Sequence, residues 1–163
     1  KDLGVDVLWI CPMFKSPNDD NGYDISDYED IMDEFGTMAD FDLLMEEAHK
    51  RDIKVLLDLV VNHTSDEHPW FLESRSSKDN EKRDWYIWKD GTKETPPNNW
   101  RSYFAPSPWT WSEEREQYYF HSFAKEQPMV SESLRKVTST RINPSPISRT
   151  RSVCRMSLHS ICI

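Results

Sequence analysis

The sequence predicts an α/β fold in which parallel strands are covered by helices, followed by a segment of different texture. Three observations predict it. Residues 54–61 read KVLLDLVV, with six of the eight being Val or Leu around the single carboxylate Asp58. A run this apolar and this short is a strand buried on both faces, as in helix-covered parallel sheets. It stops in Asn62, His63, Thr64 and Ser65, and the C-terminal mouths of parallel strands are where ligand-binding side chains gather. Upstream, residues 5–11 (VDVLWIC) form a second apolar strand, ended by Pro12, which has no amide to give to a ladder. Between the two lies an amphipathic helix. Strand, polar loop, helix and strand make a βαβ unit, and its right-handed crossover sets both strand mouths on one rim.

The elements follow in order. Residues 1–4 read as a helix tail capped by Gly4. Residues 14–35 are polar, with Pro17 and Gly22 as turn residues. The acidic run 18–22 (NDDNG) fails as a calcium loop. With Gly22 sixth in an EF-hand register, the first and twelfth positions fall on Pro17 and Tyr28. Thr37 and Asp40 form a short capping box that opens a helix near residues 38–50. Phe41, Leu44, Met45 and Ala48 then recur as one stripe facing the sheet, and Glu46 and Lys50 as an exposed ion pair. From Thr64 to about Gln127 the texture changes: there is a single glycine, Gly91, and six of the seven tryptophans. Residues 83–88 and 117–123 read as short strands of a small aromatic-rich region, separated by the loop 92–99.

Charge is divided along the chain. Residues 129–163 hold six basic residues and one acid, for +5, and the rest holds 14 bases and 28 acids, for −14. An acidic body argues against nucleic acid as a partner, and no apolar run approaches the length of a membrane span. The cysteines Cys11, Cys154 and Cys162 form no metal-type pair. Cys11 reads as a small core residue, and the odd count fits a reducing, cytoplasmic setting. At the strand mouth, Asp58 and His63 make a site candidate. Taken alone, they read first as a wall carboxylate and a satisfied core histidine.

The motifs extend beyond that pair. Asp58-Leu-Val-Val-Asn62-His63 resembles the first signature region of the α-amylase superfamily of glycoside hydrolases. The segment carrying Asp20, Gly22, Tyr23, Asp24 and Tyr28 resembles the second barrel loop of that family, and Asp66-Glu67-His68-Pro69-Trp70-Phe71 follows in register. The branch resembled is that of α-glucosidases, oligo-1,6-glucosidases, maltases and sucrose isomerases, over residues 3–128. The resemblance implies a partial (β/α)8 TIM barrel, represented by its second and third strands, with an inserted small α+β domain. Residues 1–63 are expected in the barrel and 64–127 in the insertion. Residues 128–163 are expected to be an unrelated tail, disordered or read out of frame.

The resemblance also implies roles. Asp20 and His63 would hydrogen-bond hydroxyls of a non-reducing glucose, and Tyr23 would stack under its ring. Phe104 and Phe123 would wall the pocket, and Gln127 would reach its edge. Asp58 and Asn62 belong to the structural signature rather than to the sugar contacts. Cleavage with retention needs a nucleophile and a general acid flanking the bond, and the family carries both beyond residue 128. No catalytic residue is therefore expected in this chain, nor a metal or cofactor; a family calcium site would lie outside the matched residues. The function implied is that of a fragment of a retaining α-glucosidase acting on terminal α-linked glucose of maltose, isomaltose-type oligosaccharides or sucrose, inactive as given. The alternative is a non-catalytic relative that keeps the fold as a partner-binding scaffold. Joint retention of Asp20, Tyr23 and His63 favours the enzyme, since a scaffold needs no sugar clamp.

Overall fold

The computed structural model describes residues 1–132 and Leu134. Strands β1 (Val7–Ile10) and β4 (Lys54–Leu57) pair in parallel, with Val7 opposite Lys54 and Ile10 opposite Leu57. The crossover between them carries helix α1 (Met38–Lys50). Its start is the capping box expected of Thr37: the Thr37 amide donates to Asp40 Oδ2 at 2.8 Å, and the Asp40 amide donates to Thr37 Oγ1 at 3.3 Å. Phe41 packs on Met13 and Ile31, and Ala48, on the same stripe, packs on Ile53 and Val55. Lys50 meets Glu46 at 2.6 Å, as its spacing predicts.

Four expectations change. Leu44, placed on the core stripe, is exposed, as is the adjacent Leu43. Cys11 is exposed rather than a core residue. It follows β1 in a sheet that has two strands among the described residues, whose Val7, Trp9 and Leu56 are open to solvent. Gly4 does adopt the left-handed conformation, at φ +77°, but it closes a turn onto Lys1 O rather than a helix. The strand expected over 54–61 ends at Leu57. Beyond it, side chains replace the ladder: the Tyr28 hydroxyl donates to Val60 O at 2.8 Å and lies 3.1 Å from His63 O.

The polar loop after β1 contains a hairpin that the pattern concealed, β2 (Phe14–Lys15) against β3 (Asp27–Ile31), with an irregular register between Phe14 and Lys15. The aromatic-rich region holds helix α2 (Pro69–Ser76) and a three-stranded antiparallel sheet. Its strands are β5 (Trp88–Lys89), β6 (Trp109–Ser112) and β7 (Gln117–Phe120), with β7 in the centre. Of the strand expected over 83–88, only Trp88 joins the sheet; Tyr86 bridges Val130 instead. The strand expected to run to residue 123 stops at Phe120.

The boundary expected after Gln127 does not coincide with a structural break. Met129 bridges His63, Val130 bridges Tyr86, and Val130 and Leu134 complete a core with Phe71, Tyr86 and Tyr119. Two buried apolar side chains hold this segment in place, whatever the composition that follows. Residue 133 and residues 135–163, where the rest of the tail was expected, lie outside the described residues. No helix among the described residues is long and apolar enough to cross a membrane.

Candidate functional site

The site is assembled on the two strand mouths and the loop between β7 and Val130. The loop before Tyr23 turns through Asn18, Asn21 and Gly22, all at positive φ. Gly22 has no alternative: at φ +87°, a Cβ there would sit 2.7 Å from Pro12 O. The turn folds Asp24 back under its own loop. Fully buried, its two carboxylate oxygens accept the amides of Asp19 at 2.8 Å and Asp20 at 2.9 Å. Asp24 thereby fixes the backbone from which the Asp20 side chain projects.

Asp20 Oδ2 accepts from Gln127 Nε2 at 2.8 Å, and the same amide nitrogen lies 3.0 Å from His63 Nε2. His63 is buried, which pushes its imidazole below the ordinary histidine range, partly offset by its bond to the Tyr23 carbonyl and by the charges of Asp20 and Asp24. The neutral ring carries one proton. With that proton on Nε2, the ring donates to Tyr23 O at 3.1 Å and accepts at Nδ1 from Asn62 Nδ2 at 3.1 Å. The Gln127 amide is then committed to Asp20. Gln127 itself is buried, and its Oε1 accepts the Ala124 amide at 3.1 Å.

Asp58, at the end of the β4 run, accepts from Trp9 Nε1 at 2.7 Å and from the Tyr23 hydroxyl at 2.9 Å. The hydrogen bond to this carboxylate, followed by burial, raises the Tyr23 phenol above its ordinary range, so the hydroxyl stays a donor. The Tyr23 ring remains partly open to solvent. On the other side, Phe123 meets the His63 ring at 5.5 Å and 62°. Tyr103 stacks on Phe123 at 5.2 Å, and Phe104 lies 5.7 Å from it.

Asp20, Tyr23, His63, Phe123 and Gln127 thus converge, with Asn62 and Asp58 bonded directly to members of the group. Phe104 is more remote: it touches Phe123 and is largely exposed. Gln127 is buried, bonded to Asp20 with its amide nitrogen 3.0 Å from His63 Nε2, rather than presented at an edge. Sequence reasoning missed Asp24 and Tyr28. Asp24 carried a readable signal, since a carboxylate four or five residues past Asp19 and Asp20, beyond a turn glycine, lies within reach of their amides. Among the described residues, no group of three or more His, Cys, Asp or Glu side chains is arranged to hold a metal.

Beside this group, Asp66 is half-buried near Glu126, Glu67 and Asp19. Burial, with Glu126 next, pushes its carboxyl up to about 6, against the pull of Arg75. A carboxyl whose folded pKa is raised favours folding while protonated, and that contribution is lost as pH rises through about 6. Asp66→Asn is expected to stabilise the protein at pH 7 by about 1 kcal/mol after allowance for solvent screening, and to change little near pH 4. Melting temperatures of both proteins at the two pH values check this; the difference between them removes the opposing effect of the buried histidines.

Comparison with known proteins places this geometry in context. Residues 1–141 match the alpha-amylase family, alpha amylase catalytic domain, past the point near residue 128 where the resemblance was expected to end. The oligo-1,6-glucosidase of Parageobacillus thermoglucosidasius is 65% identical over 128 residues, covering 78% of this chain and 23% of that protein. An α-glucosidase of Schizosaccharomyces pombe is 50% identical, covering 84% of this chain and 24% of that protein. The crystal structure of the trehalulose synthase MutB from Pseudomonas mesoacidophila MX-45 superposes with a TM-score of 0.80 at 48% identity, over 85% of this chain and 25% of that one; a MutB variant has also been solved with the substrate sucrose. The chain spans about a quarter of the length of these relatives. The matched family model and these identities establish that the chain belongs to the alpha-amylase catalytic-domain family of glycoside hydrolases.

Proposed function

We propose that this chain supplies the glucose-recognising wall of an α-glucosidase site, with β1 and β4 as the second and third strands of a (β/α)8 barrel. The observation that carries the reading is the buried Gln127 amide, which donates to Asp20 across 107 residues of sequence and lies 3.0 Å from His63 Nε2. A buried side chain that holds a carboxylate beside a histidine at a strand mouth preorganises the pair for a ligand. Asp20 keeps lone pairs beyond the one given to Gln127 and accepts from sugar hydroxyls. Tyr23 offers its open ring face to the sugar, held in plane by Asp58. Phe123 and Phe104 close the apolar side. The substrates that fit are terminal α-linked glucose units of maltose, isomaltose-type oligosaccharides and sucrose, which the names of the relatives favour. Sugar binding of this kind calls for no cofactor.

These residues bind and orient; they do not cleave. Retaining hydrolysis needs two carboxyl groups facing each other across the bond, about 5–5.5 Å apart. At this mouth both Asp58 oxygens are occupied by Trp9 and Tyr23, and both Asp24 oxygens by backbone amides. The polypeptide of residues 1–163 is therefore expected to bind maltose without hydrolysing it. Calorimetric titration with maltose, isomaltose, sucrose and galactose tests the binding, and p-nitrophenyl α-glucoside tests the turnover. Asp20→Asn is expected to weaken glucoside binding roughly tenfold or more, the scale of one charged hydrogen bond. Equal affinity in the variant would overturn the clamp, and turnover abolished by His63→Ala would overturn the assignment of roles. A folded chain that binds no glucoside would point to the partner-binding scaffold.

A further inference from the structure

We infer that His121 and Ser102 are positioning residues for the aromatic wall, acting on the backbone carbonyl of Phe123. The inference rests on the glucoside reading only for its consequence in binding. His121 follows β7 and is 1% exposed. Its own amide donates to Pro108 O at 2.8 Å, which fixes the residue against the strand entry of β6. Its Nδ1 lies 2.9 Å from Phe123 O, and its Nε2 lies 3.0 Å from Thr110 Oγ1 on β6. A carbonyl can only accept, so Nδ1 carries the proton, and Nε2 accepts from the threonine hydroxyl. The ring is thus satisfied at both nitrogens in the neutral state that its burial favours.

Ser102 approaches the same carbonyl from the other side. Its hydroxyl donates to Phe123 O at 3.0 Å and accepts the amides of Phe104 at 3.1 Å and Ala105 at 2.8 Å. One donor and two acceptor positions exhaust the capacity of a serine hydroxyl. The Tyr103 amide adds a bond to Ser122 O at 2.8 Å. The loop that carries Phe123 is therefore joined to that of Phe104 through the Ser102 hydroxyl and to β6 through the His121 imidazole, neither of which needs to meet the sugar. Without them, the Phe123 carbonyl loses both its donors. The ring set against His63 would then depend on packing with Tyr103 and Phe104, both largely exposed.

The test uses the whole chain and reads the His63 imidazole by NMR without sugar, because the Phe123 ring shifts its resonances through their edge contact. Phe123→Leu sets the position of a lost wall. His121→Leu and Ser102→Ala are expected to move the His63 resonance toward that position and to weaken maltose binding about fivefold, the scale of one neutral hydrogen bond. His121→Asn, whose side-chain amide can replace the Nδ1 donor, is expected to restore both. Ser102→Ala removes a single atom and keeps the question open to measurement should His121→Leu fail to fold. A His63 resonance unmoved by Ser102→Ala or His121→Leu while Phe123→Leu moves it would overturn the inference, as would a folded His121→Asn that behaves like His121→Leu. Failure of the wild-type chain to bind maltose would count against the glucoside reading alone, since the resonance is read without ligand.

Discussion

Arg115→Met is expected to destabilise the aromatic-rich region by about 3 kcal/mol or more, because each buried acceptor left unpaired costs about 1–3 kcal/mol. The Arg115 side chain reaches from the turn between β6 and β7 into the end of α2. Nε donates to Gln117 Oε1 at 2.6 Å, Nη2 donates to Arg83 O at 3.1 Å, and Nη1 donates to Ser74 O and lies 3.5 Å from Ser77 O. Ser74 and Ser77 lie at the C-terminal end of α2, where the last helical carbonyls lack intrahelical partners. A cation there also meets the negative end of the helix dipole. The guanidinium covers the Trp88 ring at 4.3 Å, adding attraction that a neutral side chain lacks. Methionine matches much of the volume and none of the donors. Lysine keeps the charge but not the planar fork, so Arg115→Lys is expected to recover only part of the loss. Urea unfolding followed by tryptophan fluorescence checks both variants, and a loss below about 1 kcal/mol for Arg115→Met would mean that water replaces the guanidinium at little cost.

Gln127→Leu is expected to damage the site more than any other single change considered. The side chain is 1% exposed, accepts the Ala124 amide, donates to Asp20 and lies against His63. Leucine is close in size, so packing is kept while the Ala124 amide and the Asp20 carboxylate lose their partners. The stability lost is about 2 kcal/mol. Affinity for maltose is expected to fall by more than about tenfold, because Asp20 is no longer held in one position. Gln127→Glu separates the two effects. It keeps an acceptor for Ala124 but sets a second carboxylate against Asp20, so its destabilisation is expected to be larger at pH 7 than at pH 5. Chemical unfolding at the two pH values, with maltose titration at pH 7, measures these outcomes.

The parts of the fold legible in the sequence were those written in local chemistry. Thr37 and Asp40 spelled out the start of α1, and the Val/Leu run before Asp58 identified a strand whose parallel partner was the run before Pro12. The strand mouth followed from the abrupt change at Asn62. Elements that rest on distant partners were not legible. β2 is two residues long and pairs irregularly with β3, whose sequence DYEDI has no apolar alternation. Helix α2 opens with His68, whose Nδ1 accepts the Trp70 amide, and histidine is not among the usual capping residues. The residues before Trp88 looked like a strand but spend their backbone on Met129 and Ser131. That pairing also carries the packing past the change of composition after Pro128, since Val130 and Leu134 still fill the core.

Within the site, the family motifs pointed to Asp20, Tyr23 and His63, and the βαβ crossover explained why they share a rim. The bonds between them were beyond the reach of pattern. Nothing in the sequence of Gln127 indicates that its amide lies between Asp20 and His63, and the function of Asp24 depends on the left-handed turn at Gly22. The carbonyl of Phe123, held by His121 and Ser102, belongs to the same class of contact.

The most direct measurement is an NMR titration of the 163-residue chain with maltose, following the rings of Tyr23, His63 and Phe123 together. A glucose clamp at this mouth gives saturable shifts at all three rings with one common affinity, lost in Asp20→Asn, while the distant Trp88 and Trp111 stay unmoved. Shifts confined to the exposed rings of Trp100 and Tyr103, or a response at His63 that survives Asp20→Asn unchanged, would contradict it.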